Sequence, residues 1–284
     1  MQTFFNQATL TYNDTTTTSN IVQGELVEVL SAVKTSVTET YDRGETVTYI
    51  VSLVNTGTVP YTGLTVTDNL GEYSFNATQL TPLDYVVGSL KYYINGVLQT
   101  APAVSPGPPL EITGITVPAG GNAIIVYSAT VNQFAPLGAA SAITNEATVS
   151  GNSLTTPIIA TETINASDDV MLTITKGISP TTVSENGQLT YTFVIRNFGS
   201  TPAVATDNAI ITDAFNPILD PITVSYEGET WTEGTNYTYD QTTGLFKTLP
   251  GQITVPAATF TQDPATGAWI VNPGTVTLVV TGTV

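Results

Sequence analysis

Three polar residues stand where an all-β sequence should be apolar. Side chains along a strand alternate between its two faces, so residues of like parity point the same way. Lys34 shares parity with Leu30 and Ala32, Asp68 with Leu64 and Val66, and Asn145 with Ile143, Ala147 and Val149. A second set repeats the pattern: Lys176 with Val170, Leu172 and Ile174, Asp213 with Ala209 and Ile211, and Asn6 with Phe4, Ala8, Leu10 and Tyr12. An amine and a carboxylate removed from water become neutral or pair with one another, and ion pairing is the simplest outcome. A neighbouring carboxamide opens a different chemistry. A neutral lysine attacks the amide carbon, a protonated aspartic acid polarises the oxygen and shuttles protons, and ammonia leaves, giving a Lys–Asn isopeptide bond. Desolvation pushes the amine down and the carboxyl up in pKa, toward the two states this reaction requires.

The composition removes competing chemistries. The 284 residues contain no Cys and no His, so there is no disulfide framework, no thiolate metal site and no ordinary general base. A hydrolase using paired carboxylates would lack a nucleophile motif, and no cofactor or metal is expected. Six Lys+Arg against 23 Asp+Glu give a net charge of −17, a surface that repels nucleic acid and anionic membranes. The N-terminal MQTFFNQATLTY lacks the basic and apolar regions of an export signal, and no window reaches membrane-spanning length. This leaves the location open.

Stepping from residues to elements, Thr, Val, Tyr and Ile dominate, Gly and Pro punctuate at short intervals, and no long stretch has helical periodicity. The chain reads as all-β with few helices, and its length suits two sandwich domains. It also repeats. KTSVTETYDRGETVTYIVSLVNTG from Lys34 matches KGISPTTVSENGQLTYTFVIRNFG from Lys176; Tyr49 and Tyr191 each lie 15 residues after the lysine, and Asn55-Thr56-Gly57 matches Asn197-Phe198-Gly199. Val117–Val131 corresponds to Val271–Val284. The first copy then continues into AITNEATVSG around Asn145, which the second lacks, whereas FFNQATLTY around Asn6 precedes the first copy. Asn6 precedes Lys34 by 28 residues and Asn145 precedes Lys176 by 31, so the repeat is circularly permuted by one strand. The expected divisions are a donor strand and linker at 1–23, a first module at 24–154, a linker at 155–169 and a second module at 170–284 without its closing strand. An open sandwich edge invites strand addition, and a donor and groove on different surfaces generate an open filament. The competing expectation is a monomeric stalk or adhesin repeat cut from a longer surface protein.

The succession of lysine, Tyr-x5-Asn-x-Gly, Thr-Asp and Asn-x-Ala-Thr, present twice, resembles the bacterial surface-repeat family called domain of unknown function eleven. It is also similar to isopeptide-forming immunoglobulin-like domains of Gram-positive pilins and adhesins. That resemblance implies two Ig-like sandwiches, a bond between Lys34 and Asn145 with Asp68 as the catalytic acid, and Lys176 with Asp213 in the second module. Asn6 of another subunit then fits the missing asparagine, with Phe4, Ala8, Leu10 and Tyr12 anchoring the donated strand. Glu146 is a weaker acid candidate, since its parity points outward and Gln7 occupies the matching place. The implied protein is a non-enzymatic, self-polymerising fibre subunit on a bacterial cell or spore surface, with room for an unknown receptor or anchor partner.

Other signals are weaker. Trp231, Tyr226, Tyr237 and Tyr239 would suit glycan stacking or, more ordinarily, a packed hairpin. Asp168-Asp169 offers oxygen ligands for calcium but no EF-hand spacing. The sequons at Asn76, Asn165 and Asn236 carry little meaning in a bacterial protein.

Overall fold

The computed structural model describes residues 2–152 and 154–284. The fold is all-β: two Ig-like antiparallel sandwiches with separate cores, preceded by a β-hairpin. The one helical turn among the described residues is Ala205–Asp207, and no helix is long and apolar enough to cross a membrane.

In the first sandwich, one sheet runs in the order Val97–Gln99, Lys91–Ile94, Asn122–Val131, Thr46–Asn55 and Leu30–Ser36, with Leu83–Tyr85 also paired to Asn122–Val131. The facing sheet runs Ala103–Ser105, Leu110–Val117, Tyr61–Asp68, Ala142–Ser150, Ile158–Ala166 and Thr40–Tyr41. Strict alternation drives both, as in Thr46–Asn55, where Val47, Tyr49, Val51 and Leu53 are buried. The segment 155–169, expected as a linker, contains the strand Ile158–Ala166. Its even positions Ala160, Ile164 and Ala166 are buried in the core, a period hidden by the intervening Thr and Glu residues.

The second sandwich has a five-stranded sheet, Leu172–Ser179, Gln188–Asn197, Gly274–Thr283, Ile222–Tyr226 and Glu229–Trp231. Its facing sheet has only three strands, Thr212–Ala214, Leu245–Thr248 and Tyr237–Asp240. The aspartate strand Tyr61–Asp68 is flanked on both sides in the first sandwich. Its counterpart Thr212–Ala214 is paired only with Leu245–Thr248, and no strand among the described residues occupies its other edge. The repeated Asn-x-Gly has the same structural work in both copies: Asn55 and Asn197 are buried, and each side-chain oxygen accepts from the glycine N–H two residues on, at 2.9 and 3.0 Å.

The N-terminal segment departs from the expected single donor strand at 1–23. Gln2–Asn6 pairs with Val22–Leu26 and Thr9–Tyr12 pairs with Thr15–Thr18, so 2–26 forms one long hairpin. Asn13 and Asp14 turn it with φ of 44° and 61°, the left-handed pair that two-residue hairpin loops require.

Candidate functional site

The first lysine cluster is closed. Lys34, on the strand Leu30–Ser36, points inward between the sheets, and its ammonium lies 2.5 Å from Asp68 Oδ2 with both side chains wholly inaccessible. Asp68 ends its strand, and its Oδ1 accepts from the Leu70 N–H at 2.9 Å. The Tyr127 hydroxyl donates to the same Oδ2 that meets Lys34. The Lys34 ammonium also sits over the Tyr49 ring, 4.9 Å from its centroid, and Tyr49 stacks on Tyr127. Asn145 is fully buried two residues from Ala147, the residue that pairs with Asp68 across the sheet. Asn69 pins this strand in place: its side chain accepts from Glu146 N–H at 2.9 Å and its own N–H donates to the Glu146 carbonyl at 2.9 Å.

Two electrostatic features mark the cluster. Burial lowers the Lys34 pKa from 10.5 to about 8, against the opposing pull of Asp68. Burial also holds the Tyr49 and Tyr127 hydroxyls above their ordinary range. The Asn145 carboxamide lies near both hydroxyls, yet neither its oxygen nor its nitrogen makes a hydrogen bond of normal geometry, and Tyr49 Oη is likewise unpartnered. An unsatisfied buried amide costs about 1–3 kcal/mol. The arrangement buries an amine, a carboxyl group and an unpartnered carboxamide in one cluster.

The second cluster is open. Lys176 and Asp213 form an ion pair, and Lys176 lies over the Tyr191 ring at 4.1 Å, but the side chains keep 38% and 19% exposure. Full burial was expected from parity. It fails because no strand among the described residues covers Leu172–Ser179, every residue of which is exposed. Beside it runs an apolar groove of about 170 Å³ lined by Leu172, Ile174, Ile195, Ala209, Ile211 and Ile253. Where Tyr127 stands opposite Tyr49, Val280 stands opposite Tyr191, so this acid lacks the hydroxyl that the first one receives.

Asn6 and the row Phe4, Ala8, Leu10 and Tyr12 lie on the first strand of the hairpin, all exposed. The strand is interrupted at Gln7 and Ala8, where the Ala8 N–H donates to Ser19 Oγ at 3.0 Å. The structure brings Asn6 to neither lysine.

Sequence reasoning missed Glu162, which faces Asn145 across the sheet and accepts from both the Ser36 N–H and hydroxyl at 3.2 and 2.8 Å. It also missed Tyr127, whose inward parity with Ile125 and Ala129 was the available signal. The aromatic group is packed inward: Trp231 and Tyr237 are buried, Tyr226 stacks on Trp231, and Tyr239 donates to the Leu219 carbonyl at 2.7 Å. Asp168 accepts from the Ser200 and Thr201 hydroxyls at 3.0 and 2.5 Å.

No family model matches the chain, and no curated protein matches its sequence, so the surface-repeat resemblance rests on the motifs themselves. Among solved structures the neighbours include pilin and collagen-adhesin domains, together with parts of a glycoside hydrolase from Clostridium perfringens and of a red sea bream transglutaminase. The major pilin subunit BcpA of Bacillus cereus is 13% identical with a TM-score of 0.37, over 95% of this chain and 73% of that one. The pilus backbone RrgB of Streptococcus pneumoniae is 11% identical with a TM-score of 0.35, over 86% of this chain and 55% of that one. The collagen adhesin of Staphylococcus aureus is 12% identical with a TM-score of 0.30, over 55% of each chain.

Proposed function

We propose that this protein is a structural subunit of a covalent, head-to-tail surface fibre. The observation that carries this reading is the contrast between the two lysine clusters. One is sealed around an unpartnered asparagine; the other has the lysine and acid but an open edge, while an Asn-x-Ala strand with four apolar neighbours stands exposed in the N-terminal hairpin. Inserting that strand beside Thr212–Ala214 of another subunit places Asn6 where Asn145 sits in the first sandwich.

The same reaction then serves both sites. The proton of the Lys–Asp pair moves to the acid, leaving a neutral amine. Lys Nζ bonds to Asn Cγ while the acid hydrogen-bonds the developing oxyanion, one Nζ proton passes by way of the acid to Nδ2, and the Cγ–Nδ2 bond breaks as ammonia leaves. Within a subunit the product joins Lys34 to Asn145; between subunits it joins Lys176 to Asn6. The chain acts on itself once and turns over no substrate.

Boiling in detergent tests the reading. The full chain is expected to run as a ladder of multimers, and Asn6→Ala to form filaments that dissolve to monomer. A wild-type chain that runs only as monomer favours the stalk-repeat alternative.

A further inference from the structure

Among the described residues the second sandwich has no counterpart of the strands Ala142–Ser150 and Ile158–Ala166, and the exposed N-terminal hairpin has two arms. In the first sandwich, closure does not end with the asparagine strand. Ile158–Ala166 pairs with it along its length, buries Ala160, Ile164 and Ala166, and runs parallel to Thr40–Tyr41. Its Glu162 reaches the lysine strand at Ser36.

The hairpin reproduces this pair with matched substitutions. Glu162 faces Asn145, and Val22 faces Asn6. Ser36 faces Tyr49 two residues after Lys34, and Ile178 faces Tyr191 two residues after Lys176. The polar Glu162–Ser36 contact inside the first sandwich thus becomes an apolar Val22–Ile178 match between hairpin and second sandwich. Both residues are stranded in solvent in the isolated chain, at 55% and 46% exposure. A second exchange concerns volume. The buried cross-strand pair Ile143–Ile164 corresponds to Phe4–Gly24, and the Phe4 ring lies so close over Gly24 that an added Cβ would meet it at 2.4 Å. One large and one absent side chain replace two medium ones, which keeps the layer filled.

We infer that the donated element is the whole hairpin of a second copy of this chain, with its return strand covering Leu172–Ser179 and Val22 meeting Ile178. This rests on the strand-donation reading and specifies its partner surface. The return strand would bring Glu25 beside Thr182, as Asn165 lies beside Thr40 in the first sandwich.

Full-length Val22→Asp and Ile178→Lys, and the double variant, test it by the rate of ladder formation in hot detergent. Both positions are exposed, so the subunit folds in each case. Each single variant is expected to slow the ladder about tenfold, and the double variant, whose opposite charges meet across the joint, to return to within about threefold of wild type. Two results overturn the inference while sparing strand donation. In one, both singles match wild type although Ala8→Asp stops assembly, so only one strand enters. In the other, the double variant is no faster than the singles, so the residues do not meet. A ladder from Ala8→Asp would instead remove the underlying reading together with this one.

Discussion

At the scale of residues, the chemistry depends on one shared proton. In the proposed reaction the Lys34–Asp68 pair reacts when that proton rests on the acid, and burial brings the Lys34 ammonium down to lose its proton at about pH 8. On this proposal the pair would keep its proton and its reactivity below that value, and above it the amine would be neutral with nothing to polarise the amide. Bond formation in freshly refolded protein is therefore expected to be level from about pH 6 to 7.5 and to fall roughly tenfold per unit above 8, followed by loss of ammonia in intact mass. A rate that keeps climbing past pH 9 would mean the acid proton is not required. Tyr127→Phe removes the hydroxyl that donates to Asp68, and is expected to slow the reaction at least about tenfold with the fold retained. Asp68→Ala should stop it. The triad was legible because parity alone aims Lys34, Asp68 and Asn145 inward. Tyr127 and Glu162 were not, since an inward tyrosine looks like any core aromatic and a glutamate beside threonines looks solvated.

At the scale of elements, the proposed Lys34–Asn145 bond would close a loop on the order of a hundred residues, for which a covalent link contributes about 4–5 kcal/mol by restricting the unfolded chain. Asn145→Ala is expected to lower stability by about that amount in a denaturant titration. A second element joins the sandwiches. The hairpin of Thr259–Gln262 and Trp269–Asn272 lies against the first sandwich: Arg43 donates to the Trp269 carbonyl at 2.5 Å, Trp269 N–H to the Gln133 carbonyl at 2.9 Å, and Gln262 to Tyr73 Oη at 3.0 Å. Gly267 turns this hairpin at φ +75°, and an added Cβ would meet Leu80 at 2.4 Å and Phe75 at 3.0 Å. Gly267→Val should cost about 1–3 kcal/mol and let the two sandwiches melt separately by calorimetry. The all-β pattern and the two lysine strands were readable from period and repeat. The strand Ile158–Ala166 was hidden by its Thr- and Glu-rich outer face. The hairpin at 2–26 was missed because its turn, Asn13-Asp14, was read as part of a tail.

At the scale of the whole molecule, the proposed donor hairpin and acceptor edge lie on different surfaces, and such a pairing would generate an open polymer. Subunits of charge −17 must approach one another to join, and the hairpin itself carries Asp14 and Glu25 with no Lys or Arg. Raising ionic strength from about 0.01 to 0.3 M shortens the screening length several-fold, so elongation measured by light scattering should accelerate with salt. Burial of Phe4, Leu10 and Tyr12 in the groove would contribute roughly 1.5–3 kcal/mol each, enough to hold subunits together before the bond forms. The covalent joint is the central claim, and tandem mass spectrometry of the digested polymer tests it most directly. The account predicts a branched peptide joining Lys176 to Asn6, lighter by one ammonia, about 17 Da, than the sum of its two parts. Recovery of Lys176 only in linear, unmodified peptides from detergent-resistant multimers would contradict it.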